Sequence, residues 1–194
     1  MDKTTRILGI DPGTRHVGYG IVECRGNSLS WLASGCINAK GATISERLVV
    51  IYRGLREVIV RHAPETAAVE TVFTGNNPKT AIAIGEGRGV AVLSAAEQGI
   101  EVKGYEPALV KRAVAGNGRA DKDQVRAMVR VLLALPCSPS TDHESDALAI
   151  AITHAHHLAT LEMTGPLPVM PRGCSRRRVL PELIARQLPP GVLR

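Results

Sequence analysis

Apolar residues alternate with small or polar ones in three segments near the start of the chain. The segments are Arg6–Asp11, Val17–Val22 and Leu29–Ile37. Alternation of this kind is typical of β-strands with one face on a core. The Pro-Gly-Thr sequence at 12–14 is a turn signal, so the first two segments are expected to pair as a hairpin with Asp11 at its bend. The third segment is expected to add another antiparallel strand.

Apolar residues then recur at helical spacing between short strand-like segments. Capping residues and prolines mark the predicted helix ends. The predicted helices run from Thr43 to the residue before Pro64, from Asn77 to about Gln98, from Pro107 to about Ala115, from Asp121 to Leu135, and from Thr141 through an apolar segment at 147–152. Two further strands are expected at 66–70 and 100–105. This order predicts an α/β domain with a five-stranded mixed sheet flanked by helices.

Charge is distributed unevenly along the chain. Of its 24 basic and 18 acidic residues, six arginines and one glutamate lie in 163–194, a segment that is also rich in proline. We therefore expect one folded domain over 1–162 and a mobile tail over 163–194. A local excess of basic residues between Lys103 and Arg130 is a plausible phosphate-facing surface.

The sequence carries no sign of a membrane or export segment. No apolar stretch is long enough to span a bilayer, and the first residues lack the pattern of a signal peptide. The four cysteines show no C-x-x-C pairing, which argues against a zinc site. The protein is expected in the cytoplasm, without contact to membranes.

Carboxylates at the ends of predicted buried strands are the main candidates for chemistry. Asp11 and Glu70 end two such strands, although Asp11 could simply serve its turn and Glu70 could pair with an arginine. His143 and Asp146 are three residues apart and therefore share a helix face. Asp142 could also reach Asp146, or complement the helix dipole.

Converging carboxylates repel each other strongly unless a cation lies between them. At ~4 Å and an effective dielectric constant of ~20, each pair costs ~4 kcal/mol. A divalent ion removes this cost, and a ligand set made mainly of oxygens favours Mg²⁺ or Mn²⁺. Two such ions can stabilise both the attacking and the leaving oxygen of a phosphodiester.

Four segments together resemble the crossover junction endodeoxyribonuclease RuvC family over about residues 6–160. They are Gly-Ile-Asp-Pro-Gly-Thr at 9–14, Ala-Val-Glu-Thr-Val-Phe at 68–73, Gly-Glu-Gly-Arg-Gly-Val at 85–90, and Asp-Ala-Leu-Ala-Ile-Ala-Ile-Thr-His at 146–154. The resemblance implies a ribonuclease H-like fold. It also implies a homodimer that resolves Holliday (four-way) junctions in recombination and DNA repair.

The implied reaction is phosphodiester hydrolysis with two Mg²⁺ ions. Paired symmetric nicks in strands of like polarity would leave 5′-phosphate and 3′-hydroxyl ends, and the branch-migration proteins RuvA and RuvB are the implied partners. The family's four ligand and catalytic positions fall on Asp11, Glu70, His143 and Asp146. Many relatives have Asp where this chain has His143, so either His143 takes that role or Asp142 substitutes for it. An imidazole ligand would favour Mn²⁺.

The resemblance also assigns residues to DNA binding. Phe73 occupies the position of an aromatic residue that stacks on junction bases in the family. Lys111 and Lys122 match positions that contact the phosphate backbone, and Arg119 and Arg126 are plausible neighbours.

Two other functions remain open from the sequence. An actin-like ATPase also opens with an Asp and a Gly-Thr turn in a hairpin, but its fold requires two large domains around the nucleotide. A non-catalytic module that binds junctions would keep the carboxylates for structure only.

Overall fold

The first three strands form an antiparallel meander, as the alternation of apolar residues predicts. The computed structural model describes residues 4–71 and 78–164, and the strands are β1 (Thr4–Asp11), β2 (His16–Arg25) and β3 (Ser28–Asn38). Asp11 pairs with Gly18 across the β1–β2 hairpin. Phe73 and the predicted tail beyond residue 164 lie outside the described residues.

The next two strands pair in parallel. β4 (Thr66–Glu70) lies beside β1, and β5 (Glu101–Tyr105) lies beside β4, so that the strand order is β3-β2-β1-β4-β5. The prediction of a five-stranded mixed sheet is therefore confirmed. Because β1 and β4 run in the same direction, their carboxyl ends meet at one edge of the sheet.

Helices cover both faces of this sheet. They are α1 (Ile44–His62), α2 (Pro78–Ala96), α3 (Pro107–Ala115), α4 (Lys122–Leu132) and α5 (Asp142–Thr164). One core cluster holds buried residues of α1 and α2, and the other holds buried residues of α3, α4 and α5. None of the helices in the described ranges has the length and apolarity that a bilayer crossing requires.

Local hydrogen bonds explain where several helices begin and end. Asp121 and Gln124 form the complete predicted capping box at the start of α4. That helix ends at Leu132, earlier than the predicted end at Leu135, because Ala134 takes a left-handed conformation with φ of 47°. At the start of α5, Thr141 accepts a hydrogen bond from the Glu144 amide at 3.1 Å, which is half of a capping box.

Glycines on β1 and β2 allow α5 to lie directly against the sheet. A Cβ atom at Gly9 would overlap the carbonyl oxygen of Ala147, and one at Gly18 would overlap the carbonyl oxygen of His143. These obstacles are backbone atoms, which cannot rotate away as a side chain can. The glycines therefore fix the distance between α5 and the strand that ends in Asp11.

We expect Gly9→Ala to destabilise the fold by about 3 kcal/mol or more, because α5 must move away from β1. Gly54→Ala, within α1, is the matched control, since a Cβ there meets only the side chain of Ile37, at 3.0 Å, and alanine favours a helix over glycine by up to ~1 kcal/mol. Urea unfolding of both variants measures the difference. Equal stability of the two variants would contradict the packing described.

Candidate active site

Asp11 and Glu70 lie side by side on the face of the sheet that α5 covers. Successive strand residues point to opposite faces. On β1, Ile7 belongs to the core cluster on the α5 side, and Asp11 is four residues further on, so it points to the same side. On β4, Ala68 belongs to that cluster and Glu70 follows two residues later. Because side chains alternate between the two faces along the parallel strands β1 and β4, both carboxylates lie on one face at the same edge of the sheet.

The beginning of α5 brings His143 to this edge. The His143 Nδ1 atom lies 2.7 Å from Asp11 Oδ2, and the Asp11 side chain is only 14% exposed. With Asp11 ionised, Nδ1 donates to the carboxylate. The contact directly joins two of the residues that the sequence selects.

Burial and neighbouring charges raise the pKa of Glu70 to about 7. Removal of the carboxyl group from water is the main cause, followed by repulsion from Asp11 and then from Asp146. Lys111 and Lys122 act in the opposite direction but do not cancel the effect. Three carboxylates from three different elements therefore share one electrostatic environment.

Asp146 is subject to the same influences. Its pKa is raised, first by burial and then by Asp11, while Lys122, His143 and Lys111 lower it. At both Glu70 and Asp146, burial and the charge of Asp11 therefore outweigh the neighbouring positive charges.

A divalent cation fits the chemistry of these donors. In the described ranges, no group of three or more His, Cys, Asp or Glu side chains is already arranged around a common point at metal-ligand distances. The carboxylates of Asp11, Glu70 and Asp146 nevertheless repel one another, and all three are oxygen donors on the same face. Oxygen donors of this kind suit Mg²⁺ or Mn²⁺.

Asp142, the first residue of α5, pairs with two basic residues of α4. Its carboxylate forms an ion pair with Arg126 and lies 3.6 Å from Lys122 Nζ. His143 contacts Asp11, whereas the hydrogen bonds of the described part of the chain connect Asp142 to Arg126 and not to Asp11. The structure thus gives the two candidates for the fourth position different partners.

The predicted DNA-binding residues divide into groups. Lys111 and Lys122 line a cavity of about 300 Å³ together with Glu70 and Asp146. Arg126 belongs to the ion pair with Asp142 instead. Arg119 lies in the turn before α4, where its amide donates to Asn117 Oδ1 at 3.0 Å. Of the predicted DNA contacts within the described residues, Lys111 and Lys122 are the two that line the cavity with Glu70 and Asp146.

His16 is a residue of this site that the sequence does not reveal. Its ring stacks on that of His143, with centroids 5.6 Å apart and planes inclined by 18°. Its Nδ1 lies 2.8 Å from Asn38 Oδ1 on the paired strand β3. A single histidine at the start of a strand does not predict a functional site from sequence, because its contact with His143 depends on the position of α5.

Known proteins resemble this chain over most of its length. A family model described as "Crossover junction endodeoxyribonuclease RuvC" matches residues 7–154. A protein of that name from Azorhizobium caulinodans is 47% identical over 153 residues, which are 78% of this chain and 90% of the relative. One from Pelotomaculum thermopropionicum is 51% identical over 152 residues, which are 78% and 93% of the two chains.

Solved structures of Holliday junction resolvases also resemble this chain. A structure described as "T. thermophilus RuvC in complex with Holliday junction substrate" has a TM-score of 0.76 and 36% identity, and the match covers 80% of this chain and 96% of that one. The yeast mitochondrial Holliday junction resolvase Ydc2 has a TM-score of 0.62 at 11% identity, covering 82% and 81%, and supports the fold alone.

In metal-free buffer, we expect Glu70→Gln to be more stable than the parent protein at pH 8. The folded-state pKa of about 7 lies above the ordinary value of 4.5, so folding binds protons and the parent loses stability as pH rises between these values. The gain should be about 1 to 2 kcal/mol at pH 8, allowing for partial solvent screening, and should vanish near pH 4.

Urea unfolding with a chelator, at pH 4, 6 and 8, measures this difference. Glu57→Gln, on the exposed face of α1, is the control for the loss of one carboxylate. A difference between Glu70→Gln and the parent that is the same at every pH would contradict the electrostatic description.

Proposed function

Because the chain belongs to the crossover junction endodeoxyribonuclease RuvC family, it is an endonuclease of Holliday junctions, and we propose that Asp11, Glu70, His143 and Asp146 perform its reaction. Its fold is ribonuclease H-like, as predicted. Membership in a family of nucleases leaves neither the actin-like ATPase nor the non-catalytic module with support.

One observation carries the assignment of the site. Asp11, Glu70 and Asp146 come from two strands and a helix, and each of the latter two has its pKa raised by Asp11. Repulsion of this kind between buried carboxylates is unfavourable for the fold by itself. Functional sites are where such arrangements are commonly found.

We propose that the site holds two Mg²⁺ ions, with Mn²⁺ as a substitute. Asp11, Glu70 and Asp146 would be the oxygen ligands, and His143 would add an imidazole. When bound, divalent ions neutralise the carboxylates and stabilise negative charge on the attacking and leaving oxygens of a phosphodiester.

Side chains of this site orient His143 and attract the DNA strand. Asp11 accepts the Nδ1 hydrogen of His143 at 2.7 Å, which leaves Nε2 as the atom of this ring that can accept a proton or bind an ion. Lys111 and Lys122 attract the strand phosphate into the cavity beside Glu70. In the hydrolysis, water attacks the phosphorus and the bond from phosphorus to the 3′ oxygen breaks, which leaves 5′-phosphate and 3′-hydroxyl ends.

We propose that His143, rather than Asp142, is the fourth member of the site. The hydrogen bond from His143 to Asp11 supports this choice. Asp142 already balances the charges of Arg126 and Lys122. Arg119, Arg126 and Phe73 remain predicted DNA contacts.

The exposed side of α2 supports a homodimer. Ile82 and Leu93 are 65% and 54% exposed. They are eleven residues apart and therefore lie on one side of the helix, ~16 Å along its axis. Gly85 and Gly89 lie between them, and a Cβ at either would meet nothing within 4 Å. We propose that two α2 helices pack along this stripe, which would pair two active sites to match the junction.

The wider biological setting follows from the resemblance. Junction DNA is the substrate, and paired symmetric nicks in strands of like polarity are the proposed outcome. RuvA and RuvB are the proposed partner proteins, and the cytoplasm is the proposed location. The division into a nuclease domain of residues 1–162 and a Pro/Arg-rich tail stays a prediction.

We expect Asp11→Asn and Asp146→Asn to bind a four-way junction about as well as the parent protein but to cut it at least ~10²-fold more slowly, because each removes a charge that the reaction requires. Gel-shift and cleavage assays with a labelled junction in Mg²⁺ measure both properties. Glu57→Gln serves as the control for loss of one surface carboxylate. Normal cutting by either site variant would refute the assignment.

We expect Ile82→Glu to shift the protein from dimer to monomer, because a charge would be buried in the proposed helix contact. Sedimentation velocity gives the oligomeric state directly. Val60→Glu, at a residue of α1 that is 68% exposed, is the matched control and should stay dimeric. A dimer that survives Ile82→Glu would rule out this stripe as the interface.

A further inference from the structure

We propose that Arg15 and Lys40 form a second phosphate-binding site next to the active centre, and that it holds a backbone phosphate of the cleaved strand that neighbours the scissile one. The proposal rests on the proposed function, since it names further substrate contacts of the same reaction. Neither residue lies among the four catalytic positions or the predicted DNA-binding residues.

The site is a surface cavity of about 400 Å³ where the start of β2 meets the end of β3. Its lining consists of Arg15, His16, Asn38, Ala39, Lys40 and Gly41. Two contacts hold this rim together: the Ala39 amide donates to the Arg15 carbonyl at 2.8 Å, and His16 Nδ1 lies 2.8 Å from Asn38 Oδ1. The two basic side chains therefore extend from a backbone fixed by strand pairing.

His16 places the cavity beside the reacting groups. One of its neighbours is the ring of His143, stacked at 5.6 Å, and His143 in turn contacts Asp11 at 2.7 Å. The stacked rings of His16 and His143 thus connect the cavity to the active centre. A strand whose scissile phosphate lies at Asp11 has further phosphates every ~3.4 Å along the helix axis.

The basic side chains of this cavity differ in their partners from those on α4, on the other side of the active centre. Within residues 4–71 and 78–164, neither Arg15 nor Lys40 has a carboxylate within the 4 Å of an ion pair. On the opposite side, Lys122 lies 3.6 Å from Asp142, which also pairs with Arg126. Positive charge at the Arg15 side is therefore available to a ligand.

Glu46, at the start of α1, does not neutralise this charge by an ion pair. Its Oε2 accepts a hydrogen bond from the Ala42 amide at 2.8 Å. A phosphodiester is the ligand that best suits an arginine and a lysine at the rim of an open cavity, because arginine donates two parallel hydrogen bonds and lysine supplies a compact charge. With Lys111 and Lys122 on the other side, cations would flank the reacting phosphate in both directions along the strand.

The first test measures junction binding as a function of NaCl concentration, with a chelator present to prevent cleavage. Arg15→Ala and Lys40→Ala should each weaken binding roughly threefold to tenfold and make the logarithmic salt slope shallower by ~0.7 to 0.9, the value for one lost phosphate contact. Lys40→Arg should restore both. Arg53→Ala removes the same charge from the exposed side of α1 and should keep the parent slope. Equal slopes for Arg53→Ala and Arg15→Ala would overturn the proposal.

The second test locates the phosphate. Junctions that carry one neutral methylphosphonate at each position near the cut are bound by the parent and by the Arg15→Ala/Lys40→Ala double variant. The parent should lose affinity at one position next to the scissile phosphate, and the double variant should show no further loss there. Additive losses at every position would overturn the site.

These outcomes are separate from a failure of the proposed function. Asp11→Asn retains Arg15 and Lys40, so its salt slope should match that of the parent even though it does not cut. A parent protein that neither binds nor cuts junctions would refute the proposed function. A parent that binds and cuts, together with an unchanged slope in Arg15→Ala or in Lys40→Ala, would refute the second site alone.

Discussion

The contact between the backbone of α5 and the glycines of β1 and β2 is the constraint on which the rest of this molecule depends. Gly9 and Gly18 leave no room for a Cβ atom beneath the carbonyl groups of Ala147 and His143. Because the strands carry no side chain at these two positions, the first turn of α5 lies directly over the end of β1. The same contact closes one core cluster and delivers His143 and Asp146 to the edge where Asp11 ends its strand. Packing and chemistry therefore share one geometric cause.

An electrostatic cost follows from that geometry. Burial opposes ionisation of Glu70 and Asp146, and each lies close enough to Asp11 to have its pKa raised further. Lys111 and Lys122 lower the pKa of both groups, and His143 lowers that of Asp146, but these effects do not reverse the upward shifts. Positive charge around an uncompensated acidic centre suits a polyanionic substrate and a divalent cation that arrive together.

Local pattern was sufficient to predict the strands, most helix starts and the two carboxylates at strand ends, because each depends on residues close in sequence. The spacing of His143 and Asp146 likewise predicted a shared helix face. The local sequence pattern could not predict contacts between distant segments. Asp142 has its ion-pair partners on α4. His16 contacts His143 because α5 crosses the start of β2. The early end of α4 depends on one backbone angle at a residue whose identity, alanine, carries no such signal. Phe73 lies outside the described residues, so its role rests on the resemblance.

Anomalous diffraction from crystals soaked in Mn²⁺ tests the central claim most directly, because it locates the ion independently of catalysis. The account predicts anomalous density bounded by the carboxylates of Asp11, Glu70 and Asp146, with His143 nearer to it than Asp142. Matched crystals of Asp146→Asn should show weaker density at that place. Strong Mn²⁺ density elsewhere with none between these three side chains, or equal density in the variant, would contradict the claim that the carboxylates converge to hold a metal.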